Sequence, residues 1–365
     1  MGKRIIISVI SDLVTDQRVY KECQTLQKLG YEITLIGRKS KHDFGLKERG
    51  YKIVRFSNLF SRGPLMYLYF NLQLLIYLIN HHSDILWSND LDTLLPNYLV
   101  AKLRNSKLIY DSHEYFTMSV LKERSRKIWL KLEEFIFPKL MNVITVNDSI
   151  RSVYENKYHV PVTVLKNVPL KNQYPTIGKV SADKILIIQG AGINENRGAE
   201  DAILMMNHLP ENFKLYLIGN GTIWAKLKEM SLTHHLTERI RFIDTLPYLE
   251  MMEYTRRAYL GLILEKITVS DEHKFSLPNK LFDFIQAGIP ILSTAAREIE
   301  IILEEYHIGY LVKNTIPENL ANEILRIDKD SQTYEQKKEN TKRAAEVFCW
   351  ENEEKKLVQF MSALK

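Results

Sequence analysis

Apolar residues follow two alternating patterns along this chain. Short, nearly continuous apolar runs read as strands at Ile5–Ile10, Ile33–Ile36, Ile53–Phe56, Ile85–Ser88, Leu108–Tyr110, Val143–Val146 and Val162–Leu165. Between them, apolar residues recur at three- and four-residue spacing. In Asp16–Leu29, for example, Val19, Cys23, Leu26 and Leu29 form one helical face. Strands that are apolar throughout, alternating with helices, predict βαβ units and a parallel sheet covered on both sides. Asn167–Val180, with Pro169, Pro175 and Gly178, breaks the rhythm and reads as a linker. The alternation then resumes with runs at Ile185–Gln189, Lys214–Ile218, Ile240–Phe242, Leu260–Leu264, Ile291–Ser293 and Gly309–Val312, and helices fill the chain from Pro317 onward. The expected architecture is α/β, with two doubly wound, Rossmann-like domains over 1–168 and 180–345 facing a central cleft. Such sheets bind ligands at the carboxyl ends of their strands, so two of them can hold two substrates.

One helix departs from the amphipathic pattern. Pro64–Ile79 is almost wholly apolar, yet it spans only 16 residues and contains Asn71 and Gln73. A membrane-spanning helix needs about 20 apolar residues. Two readings remain: a helix buried on a sheet, or one lying in a membrane interface. The buried helix is the leading reading; Tyr67, Tyr69, Phe70 and Tyr77, with Arg62 just ahead, are what the interfacial one rests on. Composition narrows the class. The 365 residues are 45% hydrophobic and 26% charged, which excludes a disordered, collagen-like or disulfide-stapled chain. Cys23 and Cys349 form neither a metal-ligand spacing nor a disulfide framework, as expected of a reducing, cytoplasmic compartment. The opening MGKRIIISVISD lacks a small-residue cleavage pattern and reads as a buried strand rather than a signal peptide. Charge is uneven: residues 1–168 hold 25 Lys and Arg against 16 Asp and Glu, and the remainder 25 against 28. A basic first half implies an anionic partner, such as a phosphate-bearing substrate or an anionic membrane surface. Nucleic acid is disfavoured, because no recognition motif or regular aromatic interleaving accompanies the basic residues.

Three strand-to-helix steps carry candidate chemistry. In the first, SDLVTDQRVYKE, Asp16 is placed to cap a helix and Arg18 sits in its first turn. A cation there opposes the helix dipole, which suggests a second use, such as a phosphate or sugar contact. No G-x-G-x-x-G follows the strand, so nicotinamide chemistry is disfavoured. In the second step, strand ILIIQG leads into AGINENRGAEDAI, where Gly192, Arg197 and Gly198 make a glycine-rich turn with a cation, a pattern suited to phosphate. The third, SLPNKLFDFIQAGIPI, is the most specific. Pro278 suits a helix start, and Gly288 and Pro290 stop the helix. Lys280 and Asp283 share a face, so a diphosphate can meet the lysine and a ribose diol the carboxylate.

Taken together, these segments resemble glycosyltransferase family 4, the group 1 enzymes with the GT-B fold. SDLVTDQRVYKECQTLQKLGYEITLIGR, DSHEYF, NRGAEDAI, LYLIGNGTIWAKLKE, PNKLFDFIQAGIPIL and FCWENEEKKLVQFM match the family's motifs in order, over nearly the whole chain. The resemblance implies a retaining transfer of a sugar from a nucleotide-sugar, held by the second domain, to a hydroxyl of a surface-polysaccharide or lipid-linked acceptor, held by the first. It assigns the diphosphate to Arg197 and Lys280, the ribose to Asp283, and further phosphate contacts to the turn at Gly192 and Gly198 and to the helix start at Leu277 and Asn279. His113 and Glu114, with Asp16 and Arg18, would meet the acceptor. His113 would also act near the transferred sugar, as a group able to exchange protons near neutrality. The closing helix, 350–365, is expected to pack back on the first domain. No cofactor and no metal are implied, and the enzyme is expected at the inner face of the plasma membrane as a peripheral protein.

Two departures stand out. The family's paired carboxylates would fall at Phe275 and Asp283, so the first is missing; Glu272 and His273 lie just upstream as substitutes. An expected arginine falls at Ala191. These gaps keep open a non-catalytic nucleotide-binding subunit of a polysaccharide-assembly complex, and the fold also hosts nucleotide-sugar 2-epimerases. Asp90-Leu91-Asp92, following a strand in the first domain, reads as a helix-start pair rather than a metal site. His81-His82 and His234-His235 lack a third ligand at useful spacing.

Overall fold

The computed structural model describes residues 2–13, 16–39, 49–60, 63–119, 123–171, 183–190, 192–266, 275 and 277–364. It divides into two units, Met1–Asn167 with Glu353–Lys365, and Val168–Asn352.

The first unit is built on strands β1 (Arg4–Asp12), β2 (Glu32–Arg38), β3 (Lys52–Phe56), β4 (Ile85–Asn89), β5 (Lys107–Ser112), β6 (Val143–Thr145) and β7 (Val162–Val164). They form one sheet in the order β3-β2-β1-β4-β5-β6-β7. Every pairing is parallel, as with Ile5 opposite Ile33 on one side and Ile85 on the other. Its helices are α1 (Gln17–Lys28), α2 (Pro64–Asn80), α3 (Leu91–Arg104), α4 (Phe116–Ser119), α5 (Glu123–Ile136) and α6 (Asp148–Tyr158). Asp16 caps α1, its carboxylate accepting from the Val19 amide at 3.1 Å.

Strand order reverses between β1 and β4, and this places a crevice at their carboxyl ends. The direction of each connection also sorts the helices. The chain moves one way across the sheet through α1 and the other way through α2, α3 and α5. Right-handed crossovers therefore set α1 on one side of the sheet and the other three on the opposite side. Met66, Phe70, Leu74 and Leu78 of α2 pack on Ile6, Ile36 and Leu86 of the sheet and on Val100 of α3.

The second unit repeats the plan with β8 (Lys184–Gly190), β9 (Phe213–Gly219), β10 (Ile240–Ile243), β11 (Leu260–Ile263), β12 (Ile291–Thr294) and β13 (Gly309–Val312), ordered β10-β9-β8-β11-β12-β13 and again parallel. Its helices are α7 (Ala199–Met205), α8 (Trp224–Thr233), α9 (Tyr248–Arg256), α10 (Asn279–Ala287), α11 (Arg297–Glu305), α12 (Pro317–Lys329), α13 (Ser331–Val347) and the start of α14 (Trp350–Ser362). One core layer joins Leu186, Leu215 and Leu262 to helices α7, α8 and α12; the other joins Ile187, Ile263 and Ile291 to α10 and α11. The switch in strand order falls between β8 and β11. Along α14 the chain returns to the first unit, where Glu353 accepts from the Lys166 amide at 3.0 Å and Glu354 from Thr25 and Lys28.

Candidate active site

The second unit's switch point gathers three segments. After β8, the chain turns through Gly192–Gly198, and Asn194 braces this turn by accepting from the Thr222 amide at 2.9 Å. Gly198 adopts φ +76°, and a Cβ there would stand 2.1 Å from the Leu264 carbonyl oxygen. Only glycine lets the turn close on the loop after β11. That loop carries Glu265, 3% exposed, whose carboxylate pairs with the Arg197 guanidinium. The third segment is the start of α10, where Lys280 places its Nζ 3.9 Å from the same Glu265 oxygen. Pro278, at the N-cap of α10, has no side chain with which to cap the helix, and Leu277 and Asn279 flank it.

Arg197, from the turn after β8, and Lys280, from the first turn of α10, therefore converge on one point. Arg197 is 38% exposed and Lys280 only 15%. Burial pushes the Lys280 ammonium below its ordinary range and Arg197 adds to this, while Glu265 pulls the other way. The cluster holds two cations and one carboxylate at the carboxyl end of a parallel sheet. One turn along α10, Asp283 faces elsewhere. It accepts from the Tyr248 hydroxyl at 2.9 Å and from Gln189 Nε2 at 3.2 Å, and Gln189 Oε1 in turn accepts from Thr255 at 2.6 Å. Lys280 and Asp283 thus face different partners. Gly192 is exposed beside the turn. Phe275 is half-buried; Ala191, Glu272 and His273 lie outside the described residues.

In the first unit, Asp111 joins two residues that the sequence grouped, Arg18 and His113, each within 3.3 Å of its Oδ2. Arg18 is 2% exposed and does not reach a surface. Its guanidinium grips both oxygens of Asp111, with Nη2 at 2.8 Å from one and Nε at 3.2 Å from the other. It also donates to the Leu165 carbonyl at 2.8 Å and pairs with Glu22 at 3.0 Å. The expected ligand contact is therefore corrected. The buried Asp111 carboxylate, held ionised by Arg18 and His113, offsets the unfavourable helix dipole. Asp16, as the α1 cap, is likewise engaged within the fold.

His113, just after β5, is 21% exposed, and its backbone amide donates to Asp90 Oδ1 at 2.9 Å. Its ring lies between two carboxylates, Nδ1 at 3.5 Å from Asp90 and Nε2 at 3.3 Å from Asp111. Burial opposes the charged ring, but Asp90 and Asp111 prevail, and the imidazole pKa is pushed up to about 10. His113 is thus a fixed cation at neutral pH. The expectation of a group exchanging protons near neutrality is overturned by the two flanking carboxylates. Burial raises Asp90 to about 6 against the pull of His113. Burial also opposes ionisation of Asp111, yet Arg18 and His113 hold it well below the ordinary carboxylate range. Glu114 is exposed beside His113. Sequence reasoning missed Glu265, Tyr248, Gln189 and Asp111 as participants. The available signal was position, since Gln189, Glu265 and Asp111 all stand at or just past the carboxyl end of an apolar strand run.

Comparison with known proteins decides the family. Residues 172–344 match the model for glycosyl transferases group 1, and residues 16–168 the model for glycosyltransferase family 4. The chain belongs to the group 1 glycosyltransferases. No curated protein sequence matches it. Solved GT-B structures superpose on this glycosyltransferase over almost its full length. HepE from Anabaena, in complex with UDP and glucose, gives a TM-score of 0.80 at 14% identity, covering 100% of both chains. Sucrose-phosphate synthase from Thermosynechococcus elongatus gives 0.79 at 15%, covering 99% of each. WaaG, a glycosyltransferase involved in lipopolysaccharide biosynthesis, gives 0.71 at 14%, covering 94% of this chain and 95% of its own. At such identities the likeness establishes the GT-B fold, and the family models establish glycosyl transfer as the chemistry.

Proposed function

We propose that this glycosyltransferase takes a sugar from a nucleoside-diphosphate sugar and transfers it, with retention, to a hydroxyl of a surface-polysaccharide or lipid-linked acceptor. The observation that carries this reading is the convergence of Arg197 and Lys280 on one point beside the N-terminus of α10. A diphosphate leaving group gains one further negative charge as the sugar–phosphate bond breaks and the electron pair stays on the phosphate oxygen. Two cations and a helix N-terminus in a partly dry setting stabilise that charge better in the transition state than in the ground state. Asp283, held by Tyr248 and Gln189, would take the ribose hydroxyls. UDP and UDP-glucose complexes of HepE support a nucleotide-sugar as donor, and the involvement of WaaG in lipopolysaccharide biosynthesis supports a cell-surface glycan as acceptor. His113, with the exposed Glu114, would meet the acceptor or the transferred sugar as a fixed cation. The two side-chain cations supply the charge that a metal supplies elsewhere, so the reaction needs no divalent ion and EDTA should leave the rate unchanged.

The test is a thermal-shift panel of nucleotide-sugars against the native protein and Lys280→Ala. One donor should stabilise the native protein and lose its effect in the variant. With that donor, Lys280→Ala should reduce kcat by about 10²–10³, and NMR of the product should show an unchanged anomeric configuration. Equal stabilisation of Lys280→Ala would remove the site. Conversion of the donor without any acceptor would identify an epimerase.

A further inference from the structure

We propose that the outer face of the α2–α3–α5 layer is a docking surface for an anionic lipid bilayer. Of twenty large hydrophobic side chains exposed among the described residues, ten lie on these three helices. On α2, Leu65, Leu68, Leu72, Ile76 and Ile79 are 42–66% exposed and lie opposite the buried row Met66, Phe70, Leu74 and Leu78. The helix thus has two apolar faces, one used by the core and one bare. On α3, Leu95, Leu99 and Leu103 repeat every four residues and are 38–73% exposed. On α5, Ile128 and Phe135 are 69% and 58% exposed.

These ridges belong to one surface. Right-handed crossovers put all three helices on the same side of the sheet. Asn71 of α2 donates to the Asp92 carbonyl of α3 at 2.8 Å, and Arg104 of α3 donates to the Ile79 carbonyl of α2. Tyr67 of α2 stacks edge-on against Trp129 of α5 at 5.6 Å, and Tyr98 of α3 against Phe135 at 6.5 Å. Monomers scatter exposed apolar side chains singly and rarely set them in adjacent ridges.

Charge selects the occupant. Lys102 on α3 and Arg124, Arg126, Lys127 and Lys131 on α5 are exposed on the same layer against the exposed Glu123 and Glu134 of α5, so cations outnumber anions there as in the basic first half. A symmetric contact with a second copy would bring this patch against itself and set cations against cations. Anionic headgroups complement it, while the leucine ridges enter the boundary with the acyl chains. None of the described helices is long and apolar enough to cross a membrane, so the surface lies on the bilayer. The buried reading of Pro64–Ile79 is met by one face of α2, and the interfacial reading is the one proposed for the other. Arg62 and Lys122 lie outside the described residues and are not needed. The inference deepens the reading of a lipid-linked acceptor by naming the surface that reaches the lipid.

The test is co-sedimentation of the full chain with phosphatidylcholine vesicles, with and without one-third phosphatidylglycerol. Native protein, Leu72→Asp/Leu99→Asp and Lys102→Glu/Lys131→Glu are compared, all four positions being exposed. The proposal expects strong binding to the anionic vesicles, weak binding to the neutral ones, and about tenfold loss in each double variant. Thermal stabilisation by UDP should stay unchanged in both, which shows that the fold is intact. Failure of the native protein to sediment, or native-like binding by either variant, overturns the proposal. So does sedimentation equilibrium showing a lipid-free dimer that Leu72→Asp/Leu99→Asp dissociates, which would assign the face to a second copy. Vesicle binding without stabilisation by any nucleotide or nucleotide-sugar would uphold the surface while removing the proposed donor.

Discussion

Glu265 sets the electrostatics of the proposed donor cluster from the end of an apolar strand run, the one sign of it that the local sequence carries. Its carboxylate orients Arg197 and helps to keep a buried Lys280 ammonium charged. With Glu265→Gln that support is gone, Arg197 remains, and the lysine pKa falls further. The consequence depends on pH. At low pH, where Lys280 is still charged, the variant should bind UDP at least as tightly as the native protein, because a competing anion has been removed. As pH rises, affinity should fall away at a lower pH than in the native protein, and Glu265→Asp should restore part of the native profile. Calorimetric titration across the pH range checks this; parallel profiles would reduce Glu265 to a structural brace. His113 offers a second measurement. Its folded pKa, about 10, lies above the ordinary value. The stability it contributes is therefore fully present below the unfolded histidine value of about 6.5 and is lost as pH rises through about 10. Its ring should show no titration by NMR between pH 6 and 8, whereas Asp90 should titrate near 6. In Asp90→Asn the His113 pKa should fall.

At the scale of elements, local pattern foretold far more than it did for single partners. All thirteen described strands stood out as apolar runs because parallel strands buried on both faces leave little room for polar residues. The α10 start was legible because Pro278 and Gly288 punctuate it at either end. Arg18 and Glu265 were not. Their partners are 93 and 68 residues away, and dipole or spacing arguments within one helix do not reach that far. The same distance explains why a turn can matter to a remote loop. Gly198→Ala would place a methyl 2.1 Å from the Leu264 carbonyl oxygen in a left-handed conformation. Backbone strain alone is worth about 1–2 kcal/mol. Relief of the clash must move the neighbour of Glu265, so nucleotide affinity should fall beyond what stability loss explains. Measuring Tm and UDP affinity on the same variant separates the two: a lower Tm with native affinity would show that the loop is indifferent to the turn.

For the molecule as a whole, two units on one chain raise the question of which one a ligand stabilises. The donor cluster draws its residues from β8, the β11 loop and α10, all within Val168–Asn352. A ligand that binds only the folded form of one unit raises the stability of that unit by RT ln(1 + [L]/Kd), about 2.7 kcal/mol at a hundredfold excess over Kd. If the units melt separately, UDP should move one calorimetric transition and leave the other in place. Removal of Glu353–Lys365 identifies them. This segment supplies the buried Leu357 and Met361 and the carboxylates that meet Thr25, Lys28 and the Lys166 amide. Its loss should lower the transition that UDP does not move, because the two leave apolar cavities in the first unit at a cost of about 2–5 kcal/mol each. The transition that UDP moves should stay near its native temperature. Should the truncation instead lower the UDP-responsive transition alone, α14 would belong energetically to the second unit, and the proposed division of the chain into a donor half and an acceptor half would have to be redrawn.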